Sequence, residues 1–307
     1  MSLVRFLLWF TAALSAHAQF AGSFYRFDVP NAAATYPRGI NSAGAICGYY
    51  TTTLLGTQHA FVRNPAGVVT TFDAPGAAMT SAFGINDAGQ VVGFWSPDIN
   101  GNVEHAFLRD ASGAMTTFDV PQRSITSAWG INNAGQMVLN ALEEPGPNDA
   151  LFRTADGAYT PIAISGVSGV YVYGLNNSGA VVGSLIAGGL QQAFLSEGFG
   201  TASVTSFIYP GSTTATVANG INDRNEVVGY YTVGYRGGSS SHAFLRYAGG
   251  NFAALDVPAA RSTLAAGINN QREIVGVYDD PAGGQHGFLA IPEQHHPLER
   301  PVPRSRR

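Results

Sequence analysis

Gly84-Ile85-Asn86-Asp87-Ala88-Gly89-Gln90-Val91-Val92-Gly93-Phe94-Trp95 sets the pattern of the whole chain. Thr80 to Asn86 has the makings of a short strand, Asp87-Ala88-Gly89 of a tight turn, and Gln90 to Trp95 of a second strand. A polar stretch, 96–104, leads to a third strand, His105-Ala106-Phe107-Leu108-Arg109. Asp110-Ala111-Ser112-Gly113 turns the chain into a fourth, from Met115 to Val120. Pro121 ends the ladder, because proline has no backbone N–H to donate. One unit therefore holds four strands joined by successive antiparallel hairpins.

The unit occurs six times, marked by Gly39-Ile40-Asn41, Gly84-Ile85-Asn86, Gly130-Ile131-Asn132, Gly174-Leu175-Asn176, Gly220-Ile221-Asn222 and Gly267-Ile268-Asn269, at steps of 44 to 47 residues. A fixed period of this length marks a propeller or a solenoid, and four hairpin-linked strands per repeat match one propeller blade. The fold read from the chain is all-β: a six-bladed β-propeller with four antiparallel strands per blade. The sixth copy stops after Ile291 without a fourth strand, whereas Phe24 to Pro30 supplies one ahead of the first. The N-terminal strand is thus expected to complete the last blade and remove its open edge. In the first turn, Asn closes an Asx-turn and Gly44, Gly89, Gly135 and Gly179 take the left-handed conformation, with Asn225 in the fifth copy. Arg272 stands there in the sixth, which predicts a strained or different turn.

The ends read differently. Arg5, the apolar run 6–13 and Ala16-His17-Ala18 have the form of a signal peptide, residues 1–18, so export with cleavage after Ala18 is expected. The protein would then be extracellular, or periplasmic in a cell with two membranes. Residues 19–291 make the propeller, and 292–307 a Pro- and Arg-rich tail with no apolar period, expected to be disordered. No later segment is long and apolar enough to span a bilayer. The single cysteine, Cys47, takes the place of Val92, Val182 and Val228 and reads as a buried small hydrophobe. Sixteen arginines, no lysine and a net charge of −4 leave no basic stripe for nucleic acid.

His59-Ala60-Phe61, His105-Ala106-Phe107 and His242-Ala243-Phe244, with the variant His286-Gly287-Phe288, open the third strands. With the Gly-Ile-Asn and Phe-Asp-Val-Pro elements beside them, these units resemble the bacterial extracellular HAF repeat, named for His-Ala-Phe. The resemblance covers about residues 24–291 and implies an exported repeat protein; it implies no activity. Copies three and four depart from it, with Asp149-Ala150-Leu151-Phe152 and Gln192-Ala193-Phe194.

Each histidine is matched by an aspartate: His59 with Asp73, His105 with Asp119, His242 with Asp256, and His286 with Asp28 of the closing strand. The third and fourth copies lack both, with Ile208 at the aspartate's place in the fourth. A hairpin turning at Ala111 and Ser112 sets His105 opposite Phe118, one residue from Asp119. Paired retention and loss reads as a structural hydrogen bond, since four equal catalytic dyads in one chain would be unusual.

Function on a repeated scaffold sits in its variable loops, here the connections between second and third strands. Aromatics open several of them, and Tyr50, Trp95 and Tyr231 are candidate platforms for a sugar or a peptide side chain. The third copy adds an acidic loop, with Glu143, Glu144 and Asp149 as candidate ligand-binding residues. The strands expected nearest the axis offer Thr35, Thr80, Thr126, Thr216 and Thr263, with Val170 in the remaining copy. A threonine ring is poor metal chemistry, and no nucleophile elbow, zinc-protease or phosphate-loop motif occurs. The expectation is an exported, non-catalytic binding or structural scaffold with no cofactor and no metal, whose partner is a glycan, a peptide or a cell-surface protein. The alternative is a metal-dependent hydrolase or lactonase-like propeller with its metal in the axial channel.

Overall fold

The computed structural model of the chain describes residues 18–53, 56–143, 146–198, 203–236 and 238–293. The expected signal segment, as far as residue 17, and the tail from 294 lie outside the described residues. Every regular element described is a strand, and no helix among the described residues is long and apolar enough to cross a membrane.

Each copy folds in sequence order. The second makes a four-stranded antiparallel sheet from Met79–Ile85, Val91–Ser96, His105–Arg109 and Met115–Phe118. The third and fourth do the same, starting at Ile125–Ile131 and Ser168–Leu175. The fifth starts at Thr216–Ile221 and carries Ala18–Gln19 in parallel on its outer strand, Phe252–Ala254. The remaining strands form one eight-stranded sheet, in which Gln285–Pro292 pairs with Gly22–Phe27 along six residue pairs but meets Ala34–Ile40 only at Gln285 and Ala34. Pro292, expected in the tail, is therefore a strand residue paired with Gly22.

The turns follow the chemistry of their residues. Asn41 Oδ1 accepts the N–H groups of Ala43 and Ala45, while Gly44 sits at φ +80°. Asn225 and Arg272 adopt the same left-handed turn, at φ 56° and 62°. Arg272 pays a strain of about 1–2 kcal/mol, offset by its ion pair with buried Glu226 at 2.5 Å. The third hairpin loop runs from Asp110 to Ala114, with Gly113 at φ 98°. It pairs Ala106 with Phe118. His105 is thus level with Asp119, one residue away from the register the sequence implied.

The sheets stand around a common axis with their first strands innermost, a β-propeller arrangement. Between neighbouring sheets lie fully buried phenylalanines, Phe61, Phe107, Phe194, Phe244 and Phe288, each contributing about 1.5–3 kcal/mol by burial. The threonines expected to line the axis do something else. Thr35, Thr80, Thr126, Thr216 and Thr263 are at most 1% exposed. Their hydroxyls accept the backbone N–H of Val29, Ala74, Val120, Tyr209 and Val257 at 3.0–3.1 Å, tying each first strand to the segment that enters it. On the outside, Arg63, Arg109, Arg153 and Arg246 lie over the rings of Phe27, Phe72, Phe118 and Phe207 at 4.4–5.1 Å.

Candidate functional site

Hydrogen bonding organises the axis first. Asn41 Nδ2 donates to the carbonyl of Asn86, Asn86 to Asn132, Asn132 to Asn176, Asn176 to Asn222, Asn222 to Asn269, and Asn269 to Asn41, all at 3.0–3.3 Å. The next residues form a second circle, in which Asp87 and Asp223 are the carboxylates. Asp87 accepts from Ser42 and Asn133, and Asp223 from Asn177 and Asn270. Burial opposes the charge on Asp223, but the Asn270 and Asn177 donors outweigh it and hold its carboxyl below the usual range. Both carboxylates are engaged by neighbours of the same circle.

One step along the channel the copies stop being alike. Each first strand carries one extra residue, and the register skips Arg38, Phe83, Trp129, Tyr173, Asn219 and Ala266. A bulge re-aims the unpaired residue, and here all six side chains line one narrow stretch of the axial channel. The glycine after each bulge makes the close approach possible. A Cβ on Gly220 would lie 2.8 Å from the Ala266 carbonyl oxygen and 3.0 Å from the Gly267 Cα.

The lining is asymmetric. Phe83 and Trp129 stack at 4.1 Å between ring centres, with Tyr173 edge-on to Trp129 at 5.0 Å. The Arg38 guanidinium sits 5.8 Å from the Phe83 ring centre and donates to the Tyr49 hydroxyl at 3.0 Å. Two buried donors there, Arg38 Nε and Trp129 Nε1, have no hydrogen-bond partner among the described residues. Burial pushes the Tyr173 hydroxyl up to about 12, against a hydrogen bond with Ser184, so it stays protonated at neutral pH. Ring faces and a cation suit a ligand with a flat apolar face and an anionic edge. Cys47, one of the chain's potential nucleophiles, is fully buried with its thiol raised to about 12 by that burial.

The histidines lie on the third strands and their aspartates just past the strands that pair with them, away from this ring. Nδ1 of His59, His105, His242 and His286 lies 2.8–3.1 Å from a carboxylate oxygen of Asp73, Asp119, Asp256 and Asp28. The candidate aromatics belong to the same clusters. Tyr50, Trp95 and Tyr231 are half-buried, with ring centres 5.4, 4.6 and 5.3 Å from His59, His105 and His242. Tyr278 lies equally against His286 at 5.5 Å. Trp95 Nε1 also donates to Thr117. Tyr231 also stacks on Tyr209, which precedes its copy, at 3.9 Å between ring centres.

The acidic loop of the third copy does not gather into a cation cage. Arg123 takes Asp149 in an ion pair at 2.5 Å and lies 4.0 Å from Glu143, which is 70% exposed. Glu144 lies outside the described residues. Among the described residues no group of three or more His, Cys, Asp or Glu is placed to share a metal.

The bulge ring is the feature the sequence reading missed. Its signal was the position just before Gly-Ile-Asn, which reads Arg, Phe, Trp, Tyr, Asn, Ala beside nearly constant neighbours. Repeats suppress variation where packing is shared, so one position that differs in every copy points to recognition.

No protein-family model matches the chain, and no curated protein matches it. Solved structures do. TolB from Acinetobacter baumannii superposes with a TM-score of 0.52 at 12% identity over 83% of this chain, which spans 63% of that protein's length. A putative gluconolactonase gives 0.53 at 9% identity, covering 88% of this chain and 92% of its own. A gluconolactonase from Xanthomonas campestris gives 0.51 at 10%, covering 90% and 97%. Likeness at this identity is one of fold, and it places the chain among β-propeller structures.

Proposed function

We propose that this chain is an exported, non-catalytic six-bladed β-propeller that binds one anionic sugar ligand on its axis. The observation that carries the reading is the bulge ring. Six copies of one backbone present Arg38, Phe83, Trp129, Tyr173, Asn219 and Ala266 toward a single channel, while the glycine one position on and the asparagine three positions on repeat without change.

The blade count is part of the proposal and has its own support. The single parallel pair joining Gln285 to Ala34 has counterparts at Glu104 with Ile125 and Gln191 with Ala215, each linking one copy's third strand to the next copy's first. Cut at that link, the eight-stranded sheet becomes two four-stranded units, one of them ending in Gly22–Phe27. That strand also supplies Phe27 to Arg63 and Asp28 to His286, as the fourth strand of another copy does. Export, and kinship with HAF-repeat proteins, rest on the Arg5-to-Ala18 segment and the His-Ala-Phe units.

A metal-dependent hydrolase of lactonase type needs open carboxylate ligands on the axis. Asp87 and Asp223 instead accept hydrogen bonds from the backbone or side chains of both their neighbours. This favours recognition over hydrolysis.

The test is a screen of uronic-acid-containing and neutral oligosaccharides against the mature protein and Trp129→Ala. Saturable binding to acidic sugars, lost in the variant, is the expected result. Equal binding to neutral sugars, or binding that Trp129→Ala leaves intact, would sink the axial reading.

A further inference from the structure

The fifth copy extends the hairpin between its second and third strands. Val227–Tyr235 and Gly238–Arg246 are nine residues each and pair as far as Tyr235 with Gly238. In the second copy the same strands hold six and five residues. The extension keeps Ser240 within the strand, and alternation sets its side chain on the same face as His242, two residues on. Ser240 Oγ lies 2.9 Å from His242 Nε2. At the other edge of the ring, His242 Nδ1 lies 2.8 Å from Asp256 Oδ2, and Asp256 Oδ1 accepts the Ala243 N–H at 2.9 Å.

A carboxylate can only accept, so in the neutral ring Nδ1 carries the proton and Nε2 offers its lone pair to the hydroxyl. A hydroxyl, a base placed to take its proton and an anion that fixes the base's tautomer together make an activated nucleophile. Ser240 and His242 are both partly exposed, so a reagent in solution can reach them. The fold does not require the hydroxyl. In the second and sixth copies the His–Asp contact forms with Val103 and Gly284 at the place of Ser240. The first copy has Thr57 there, a secondary alcohol at the longer distance of 3.3 Å from His59 Nε2.

We propose that Ser240 is a nucleophilic modification site that accepts an acyl group from an activated ester of the aryl type. Ser240 Oγ bonds to the ester carbonyl carbon as its proton passes to His242 Nε2. The bond from that carbon to the aryl oxygen then breaks, and the departing phenolate takes the proton from His242. The products are an ester on Ser240 and a free phenol. Turnover is not expected. The Ser241 N–H, adjacent to the nucleophile, is given to Ser262 Oγ at 3.3 Å. An acyl-serine is an ordinary alkyl ester whose hydrolysis needs donors for its oxyanion, whereas an aryl ester brings a leaving group good enough to react without them. The site is independent of binding on the axis.

The experiment treats the mature protein with p-nitrophenyl acetate, follows nitrophenolate release and locates the acetyl group by peptide mass spectrometry. The expected result is a burst of one equivalent per chain, with the acetyl group on Ser240. Ser240→Ala should lose the burst while keeping its melting temperature and any axial sugar binding. His242→Ala should slow the burst at least about a hundredfold, and free imidazole added to that variant should restore part of the rate. Asp256→Asn can turn an amide N–H toward Nδ1 and so move the ring proton to Nε2. Nitrogen NMR of the His242 ring should show that change of tautomer, together with a slowed burst. No burst, a burst unchanged in Ser240→Ala, or an acetyl group on Thr57 in place of Ser240 would overturn the proposal. So would the changed tautomer of Asp256→Asn beside a native rate.

Discussion

Asn269 donates its side-chain N–H to the carbonyl of Asn41 at 3.1 Å, across 228 residues of chain. The same bond joins Asn132 to Asn176 within the run of copies. A ring of six equal bonds makes the last-to-first contact as valuable as any internal one. Asn269→Ala and Asn132→Ala should therefore destabilise to a similar degree, each by about 2–3 kcal/mol for lost turn and ring hydrogen bonds. Denaturant unfolding of the two variants measures this. A cheap Asn269→Ala beside a costly Asn132→Ala would mean that the ring does not close.

The His–Asp pairs extend that argument to the outer strands. His105→Ala should cost about 1 kcal/mol, lowering Tm by about 2–4 °C. Double-mutant cycles give the cleaner comparison, because they remove the effect of lost packing against Trp95. The cycle on His286 and Asp28 should return the same coupling as the cycle on His105 and Asp119, at about 0.5–1 kcal/mol. Zero coupling for His286 and Asp28 alone would detach the N-terminal strand from the last sheet.

Two glutamates should respond to pH with opposite signs. Burial raises the Glu104 carboxyl, more than the Ser127 hydroxyl bond lowers it. A raised acid contributes stability below its unfolded value, 4.5, and loses it as pH climbs through the folded one. Glu104→Gln, which copies Gln58 and Gln285 at the same position, should thus stabilise at pH 7 by roughly 0.5–2 kcal/mol and do little at pH 3.5. Burial also opposes ionisation of Glu226, but Arg272, Asn222 and Arg224 outweigh it and depress its carboxyl. Its contribution is present above the unfolded value and vanishes as pH falls through the folded one. Glu226→Gln should cost about 1–3 kcal/mol at neutral pH and progressively less in acid. Thermal melts of both variants from pH 3 to 8 check the signs, and a shared sign would contradict the burial argument.

Strand order, turn chemistry and the repeat were legible because each is written in local residue types: Asn and Gly at the first turn, His-Ala-Phe at the third strand, Pro after the fourth. The matched loss of histidine and aspartate pointed to a contact that measures 2.8–3.1 Å in the folded chain. The threonines were misplaced because alternation cannot tell a strand's axial edge from the face it turns to its neighbour. The axial site was hidden by the bulge, which turns Arg38, Phe83 and Trp129 inward although simple alternation gives no reason for it.

Stoichiometry tests the central claim most directly. A ligand held by repeated blade surfaces binds several times per chain, whereas a ligand on the axis binds once. Titration calorimetry of the mature protein with its preferred acidic oligosaccharide should give one site per chain. That site should weaken at least about tenfold in Arg38→Gln, a loss of about 1.4 kcal/mol, and weaken further with salt. Several sites per chain, or one site indifferent to Arg38→Gln, would contradict recognition by the bulge ring.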